Sequence, residues 1–159
     1  MTIAVGDALP AANFVTPTAE GPQPVSSAEF FAGKRVALFS VPGAFTPTCS
    51  AKHLPGFVEK ADALKAKGID VIACTAVNDA FVMGAWGKAS GVEDKVTMLA
   101  DGNGDFLKAC SNIISKCYGS DLHNDIKLQE PIEFVEDIFK NNYDVITFFD
   151  SLEHFDDIF

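Results

Sequence analysis

The chain has 159 residues, 48% of them hydrophobic and 21% charged, with a formal net charge of −10 at pH 7. This length gives room for one domain with a substantial core, and the composition excludes a chain that is disordered as a whole. The acidic balance argues against a nucleic-acid partner, which would need a basic surface. The first residues do not form a secretory signal, and no apolar run is long enough to cross a bilayer, so we expect a cytoplasmic protein with no membrane partner.

The first predicted elements precede a buried strand. Residues 8–24 are rich in proline, alanine and threonine and predict an irregular or hairpin lead-in. Either Ser26 or Ser27 can cap a short helical turn that stops at Gly33. The continuous apolar run from Val36 to Val41 then predicts a strand that is buried on both faces.

Cys49 follows that strand after a loop with two prolines, at the expected start of a helix. The helix is predicted over residues 51–67, because apolar residues recur there at spacings of three and four, and Gly68 ends it. Unpaired N–H groups and the positive end of the helix dipole favour a thiolate over a thiol. Since the thiolate is the nucleophile, the sequence predicts that Cys49 is reactive.

The rest of the first hundred residues alternates between strands and helices. Strands are predicted over residues 69–77 and 96–100, with a helix over residues 80–89 that Asn78 and Asp79 can cap. Such alternation with short connections implies an α/β fold with parallel strands, in which Cys49 lies at the carboxyl end of a central strand. Beyond it, the predictions are a helix over 106–116, a short strand and turn over 117–121, an ambiguous apolar run over 132–139 and a strand over 143–149.

The four cysteines are spaced too widely for a zinc site and are read as thiols, so we expect neither a metal nor a cofactor. Cys74 stands inside a predicted buried strand, where inert packing is expected. His53 lies one helical turn after Cys49. It either perturbs the thiolate or is a surface or half-packed side chain.

Pro42, Thr46 and Cys49 form the pattern P-x-x-x-T-x-x-C, which resembles the active-site signature of peroxiredoxins. Segments 53–57, 77–82 and 99–104 resemble the peroxiredoxin 5 subfamily in the same order. The resemblance covers roughly residues 3–108. It implies a thioredoxin-like fold with a central mixed sheet flanked by helices, and the reduction of hydrogen peroxide or organic hydroperoxides.

The resemblance also implies roles for residues. Cys49 would attack the O–O bond and become a sulfenic acid that a second thiol reduces. Thr46 would hydrogen-bond the thiolate and the peroxide, and Pro42 would shield the sulfur from water. Cys110 and Cys117 match no resolving position, so we expect an external reductant such as glutathione, glutaredoxin or thioredoxin. A homodimer through the loops around Cys49 and Phe81 is a further implication.

The family also uses an arginine from a later strand to lower the pKa of the cysteine and to orient the peroxide. The only arginine of this chain, Arg35, precedes the active-site strand and matches no such position. We therefore expect the helix terminus and Thr46 to stabilise the thiolate without it, and a slower peroxidase.

Residues 109–159 have a different composition, with a net charge of −8 against −2 for residues 1–108. The segment from Asn141 to His154 is similar to the fourth-strand motif of class I S-adenosylmethionine-dependent methyltransferases. Residues 135–139 fit the acidic segment near the adenine in that family, and Asp121 fits the acid that holds the ribose. Residues 101–107 fit the peroxiredoxin turn or a degraded methyltransferase glycine loop.

We therefore divide the chain into a thioredoxin-fold region, residues 1–108, and an atypical acidic segment, residues 109–159, that either completes the same domain or does not fold onto it. The change in resemblance suggests a hybrid of two genes. Three functions stay open at this point: a thiol peroxidase, a hybrid whose peroxidase site is incomplete, and a methyltransferase fragment. The last cannot be autonomous, because about 60 residues cannot supply the complete sheet of that fold.

Overall fold

The computed structural model describes residues 8–110 and the backbone of residues 145–149. Within them the elements in chain order are β1 (Asn13–Thr16), β2 (Gln23–Ser26), α1 (Ser27–Phe31), β3 (Val36–Ser40), a π-helical turn (Cys49–His53), α2 (Leu54–Glu59), α3 (Ala61–Ala66), β4 (Val71–Ala76), α4 (Ala80–Ala89), β5 (Thr97–Ala100) and β6 (Val145–Phe149). Residues 105–110 are also helical. No helix among these residues has both the length and the apolar character that a membrane span requires.

The strands form one mixed sheet with the order β2-β1-β5-β4-β3-β6. Strands β3, β4 and β5 are parallel, as the alternation of strands and helices predicts, while β1 is antiparallel to both β2 and β5. The predicted α/β class with a central mixed sheet flanked by helices is therefore confirmed. The carboxyl ends of β3, β4 and β5 lie at one edge of the sheet.

The lead-in is a hairpin followed by a capped helical turn. Ser26 rather than Ser27 is the N-cap of α1, because its hydroxyl accepts from the Glu29 N–H at 3.2 Å and the Glu29 carboxylate accepts in return from the Ser26 N–H. The Ser27 hydroxyl instead accepts from the Ala12 N–H at 3.1 Å, and so ties the helix to the segment before β1.

Both faces of the central strands are buried, as the apolar run in β3 predicts. On one face, Phe39 and Cys74 pack with residues of α4 and of the helices that follow Cys49. On the other face, Leu38 and Leu99 pack with Phe14 and Phe106. Gly87 lets α4 approach β5 closely, since a Cβ at this position would lie 2.9 Å from Cγ of Met98.

The helix predicted over residues 51–67 begins earlier and is divided. Helical residues start at Pro47, pass through the π-helical turn and continue to Glu59, and Lys60, with φ −92° and ψ 6°, separates them from α3. The buried apolar residues continue at helical spacing from Phe57 to Ala61 and Leu64 across Lys60, which is why the apolar pattern did not predict the break.

The strand predicted over residues 143–149 is present as β6, which pairs in parallel with β3 from Val36↔Val145 to Ser40↔Phe149. Of the helix predicted over residues 106–116, residues 106–110 are helical and the rest lies outside the described residues, as do the predicted strand and turn over 117–121 and the apolar run over 132–139. The division at residue 108 therefore stays a prediction.

Pairing of β6 protects the edge of β3, and we expect Thr147→Pro to weaken this pairing, because proline in the middle of β6 fixes φ and lacks the N–H. The free energy of unfolding should fall by about 1–3 kcal/mol, and an opened β3 edge should promote self-association. Urea unfolding and light scattering measure the two effects, with Thr147→Val as a control that keeps the N–H. A proline variant with the urea midpoint of the wild type would show that the pairing contributes nothing to stability.

Candidate active site

Cys49 follows the loop that leaves the carboxyl end of β3, which is the edge of the sheet predicted for it. It is the first residue of the π-helical turn and the third residue of the helical stretch 47–59, so it sits in the first turn of that stretch. Its side chain is only 2% exposed and belongs to the cluster that contains Phe39, Leu54 and Cys74. The Leu54 N–H donates to the Cys49 carbonyl, five residues back, and this bond defines the π turn. Such turns are frequent at functional sites.

The loop above Cys49 contains a strained turn from Gly43 to Thr46. The Thr46 N–H donates weakly to the Gly43 carbonyl at 3.4 Å, and Phe45 has φ 61°. A positive φ at the third residue of a turn ordinarily requires glycine, so phenylalanine here is held in a disfavoured conformation. The Phe45 side chain is 54% exposed, and its ring centroid lies 6.5 Å from that of Trp86.

Thr46 directs its hydroxyl proton at the Gly43 carbonyl, with an oxygen–oxygen distance of 2.8 Å. A hydroxyl has one proton to donate and two lone pairs that accept. The Thr46 oxygen therefore stays an acceptor in this arrangement, while donation to the Cys49 sulfur would require the proton to turn away from Gly43.

Pro42 is exposed and follows directly on Val41, whose N–H donates to the Thr75 carbonyl at 3.0 Å. The structure thus brings Pro42, Thr46 and Cys49 together in one loop and the helical turn after it. The shielding of the sulfur by Pro42 stays a prediction.

His53 is buried, which excludes the alternative of a surface or half-packed side chain, while its effect on the thiolate stays a prediction. Its ring centroid lies 5.0 Å from that of Phe39 and 5.7 Å from that of Phe57, and the two phenylalanine rings stack on each other at 3.9 Å. Sequence spacing places His53 beside Cys49, but the aromatic neighbour on β3 comes from tertiary packing.

Arg35 lies at the amino end of β3, opposite the edge that carries Cys49. Its backbone N–H donates to the Asp70 carboxylate at 2.8 Å, and its carbonyl accepts from the Asp70 N–H. The five residues of β3 span about 16 Å. The only arginine of the sequence is therefore too remote to contact Cys49, as expected.

The other described thiols are buried. Cys74 is fully buried in β4, and this burial raises its pKa well above the ordinary value, with a smaller contribution from the charge of Cys49. Burial, and secondarily the Asp101 carboxylate, raises the pKa of Cys110 to about 11. Both side chains therefore stay protonated at neutral pH, and Cys117 lies outside the described residues.

These raised pKa values predict a loss of stability in alkali. Unfolding returns each thiol to an ordinary pKa near 9.0, so above about pH 9 the unfolded chain binds fewer protons than the folded chain. We expect the free energy of unfolding, measured with urea, to fall between pH 8 and pH 10. The fall should be smaller in a Cys74→Ala/Cys110→Ala variant, and equal pH slopes in the two proteins would contradict this assignment.

Two further contacts at the site were not predicted from the sequence. The Trp86 indole N–H donates to the Ser50 hydroxyl at 3.0 Å, which joins α4 to the π-helical turn. The Asn78 amide oxygen accepts from the Ala44 N–H at 2.8 Å, while Asp79 alone caps α4 through the Val82 N–H. The sequence feature that could have indicated the contact between Asn78 and Ala44 is the position of Asn78 after a buried parallel strand, at the edge of the sheet where loops meet.

Comparison with known proteins identifies the family. The redoxin family model matches residues 4–121. Peroxiredoxin-2E, chloroplastic, from Arabidopsis thaliana is 55% identical over 107 residues, which cover 66% of this chain and 46% of that protein. Peroxiredoxin-2B from the same organism is 52% identical over 106 residues, which cover 65% of each protein. The chain thus spans about half to two thirds of the length of these curated relatives.

Solved structures agree with these relatives. Reduced Prx3 from Vibrio vulnificus in complex with H₂O₂ has a TM-score of 0.66 and 55% identity, with 69% of each chain covered. Peroxiredoxin 5 from Alvinella pompejana has a TM-score of 0.60 and 39% identity, again with 69% of each chain covered. The thioredoxin-like fold is confirmed, whereas the peroxiredoxin 5 subfamily and the methyltransferase resemblance are not. The chain belongs to the redoxin family and, within it, to the peroxiredoxins.

Proposed function

We propose that the protein is a thiol-dependent peroxidase that reduces hydrogen peroxide and organic hydroperoxides through Cys49. The observation that carries the proposal is the placement of Cys49 in the first turn of the helical stretch 47–59, which directly follows the loop with Pro42 and Thr46. The family membership and the similarity to a structure solved with H₂O₂ support it. Neither the methyltransferase fragment nor the inactive hybrid is favoured by the relatives.

In the proposed reaction the Cys49 thiolate attacks one oxygen of the peroxide and an S–O bond forms as the O–O bond breaks. The departing oxygen takes a proton and leaves as water or an alcohol, and Cys49 becomes a sulfenic acid. The sulfur loses the two electrons that the peroxide gains. The N-terminal end of the helix favours the negative charge of the thiolate before the attack.

Thr46 orients the peroxide in this scheme. Because its proton is directed at the Gly43 carbonyl, its oxygen can accept a hydrogen bond from the O–H of the peroxide. This contact would hold the substrate beside the sulfur without competing for the charge of the thiolate. Because no arginine matches the family position, we propose that the helix terminus stabilises the thiolate and Thr46 orients the peroxide. We expect peroxide reduction to be slower as a result.

An external thiol completes the cycle in our proposal. It attacks the sulfenic sulfur and releases water, and a second thiol then cleaves the mixed disulfide and regenerates Cys49. The burial and raised pKa of Cys74 argue against an attack from within the core, and Cys110 belongs to the cluster on the opposite face of the sheet. Glutathione, glutaredoxin and thioredoxin are the proposed reductants.

We also propose a homodimer through the loops around Cys49 and Phe81. The support is the exposure of large apolar side chains there, 54% for Phe45 and 75% for Phe81. The cytoplasmic location stays a prediction, and the relatives give it no support, because two of them are named chloroplastic.

A turnover assay tests the proposed function. The protein is mixed with hydrogen peroxide or an organic hydroperoxide and, in separate reactions, with glutathione and glutaredoxin or with thioredoxin and its reductase. We expect the protein to accelerate peroxide consumption with at least one reductant. Peroxide loss equal to that of the reductant alone in every reaction would refute the proposal, and retention of S-adenosylmethionine in a binding assay would favour the methyltransferase fragment.

A further inference from the structure

The Asn78 side chain joins the end of β4 to the loop above Cys49. Its amide oxygen accepts from the Ala44 N–H at 2.8 Å, across 34 positions of sequence. The same oxygen lies close to Gly43, where an added Cβ would be 3.8 Å away. Asn78 therefore binds the backbone of the loop at Ala44 and lies beside Gly43.

One peptide unit in that loop links Asn78 to Thr46. The carbonyl of Gly43 and the N–H of Ala44 belong to the same peptide group. The carbonyl accepts the Thr46 hydroxyl at 2.8 Å, while the N–H donates to Asn78 at 2.8 Å. Hydrogen bonds at the two ends of one peptide group polarise each other, and a rotation of its plane would disrupt both. The Asn78 side chain and the Thr46 hydroxyl are therefore bonded to opposite ends of the same peptide group.

The loop needs such a restraint, because its own turn is strained and weakly closed. Phe45 has φ 61°, and the Thr46 N–H reaches the Gly43 carbonyl only at 3.4 Å. A strained conformation persists only where the surrounding structure holds it. The bond from Asn78 is a shorter restraint on the same turn.

Asn78 is itself held firmly at the edge of the sheet. Its N–H donates to the Ala76 carbonyl at 2.8 Å, and the same carbonyl accepts from the Asp101 N–H at 3.0 Å. Gly102 packs behind it, since a Cβ there would lie 3.4 Å from the Asn78 carbonyl oxygen. This arrangement gives a structural role to segments 77–82 and 99–104, which contribute no residue to the proposed chemistry.

We propose that Asn78 is a positioning residue, which orients the Thr46 hydroxyl through the Gly43–Ala44 peptide group. It thereby sets the orientation of the peroxide and not the nucleophilicity of Cys49. The inference rests on the proposed peroxidase function.

The test compares Asn78→Ala, which removes the acceptor, with Asn78→Asp, which keeps an oxygen at the same place. Two second-order rate constants are measured at Cys49, one for hydrogen peroxide and one for iodoacetamide. Both reagents consume the same thiolate, but iodoacetamide does not use Thr46, so the ratio of the two constants isolates the orientation of the peroxide. We expect Asn78→Ala to lower this ratio by about 10- to 100-fold, and Asn78→Asp to keep it within about threefold of the wild type.

An unchanged ratio in Asn78→Ala would overturn the inference, and so would an equal fall in Asn78→Asp. Circular dichroism checks that each variant is folded, and Asn78→Ser, whose side chain is too short to reach Ala44, replaces an alanine variant that does not fold. A wild-type protein that reacts with peroxide no faster than free cysteine would refute the proposed function itself. That failure is read from the wild type alone and is therefore distinct from a failure of the Asn78 variants.

Discussion

Replacement of Cys49 by serine is expected to slow peroxide reduction by at least about a thousandfold. Serine is close to cysteine in size, so the buried cluster around Phe39 and Leu54 should stay packed. Its hydroxyl is not ionised at neutral pH and cannot form the oxidised intermediate that the cycle requires. The rate is measured as peroxide consumption with an excess of thiol reductant.

Cys74→Ala and Cys110→Ala serve as matched controls for this experiment. Both thiols are buried, and both have a raised pKa that keeps them protonated at neutral pH. We expect each control to retain most of the wild-type rate. A Cys49→Ser variant with wild-type turnover would contradict the assignment of the nucleophile, and a loss of activity in Cys74→Ala with an intact fold would assign chemistry to the second buried thiol.

The second large effect is expected for Thr46→Val, which replaces the hydroxyl by a methyl group of similar size. The change removes the acceptor that orients the peroxide and leaves the Gly43 carbonyl without its hydroxyl partner. We expect kcat/KM for hydrogen peroxide to fall by about 100-fold. Rapid-mixing kinetics at limiting peroxide measures this constant.

Thr46→Ser is the conservative variant, because it keeps the hydroxyl, and its kcat/KM should stay much closer to that of the wild type. Alkylation of Cys49 by iodoacetamide checks that the thiolate stays available in both variants. If valine and serine at position 46 gave equal kcat/KM values, the hydroxyl would have no role in orienting the peroxide.

The sequence predicted the parts of the fold that depend on local pattern. The apolar runs of β3 and β4 and the capped helix α4 appear where composition and turn residues place them. Cys49 was placed in the first turn of a helix by the same kind of argument, whereas Pro42 and Thr46 were identified by the resemblance of the pattern P-x-x-x-T-x-x-C to the peroxiredoxin signature. These features depend on residues that are close in the chain.

The features that were missed depend on contacts between distant segments. Asn78 follows a strand and precedes a helix, so a capping role is the local interpretation, and its bond to Ala44 becomes visible only when β3 and β4 are paired. His53 is buried because Phe39 on β3 lies against it. The π-helical turn has no signal in the apolar pattern, since it ends at His53, before the apolar periodicity begins at Leu54.

The most direct test of the central claim is mass spectrometry of the intact protein and its peptides after one equivalent of hydrogen peroxide in the presence of dimedone, which traps sulfenic acids. We predict one dimedone adduct, located on Cys49, with Cys74 and Cys110 unmodified. A folded protein that carries no adduct on Cys49 after this treatment would contradict the claim that Cys49 reduces peroxides.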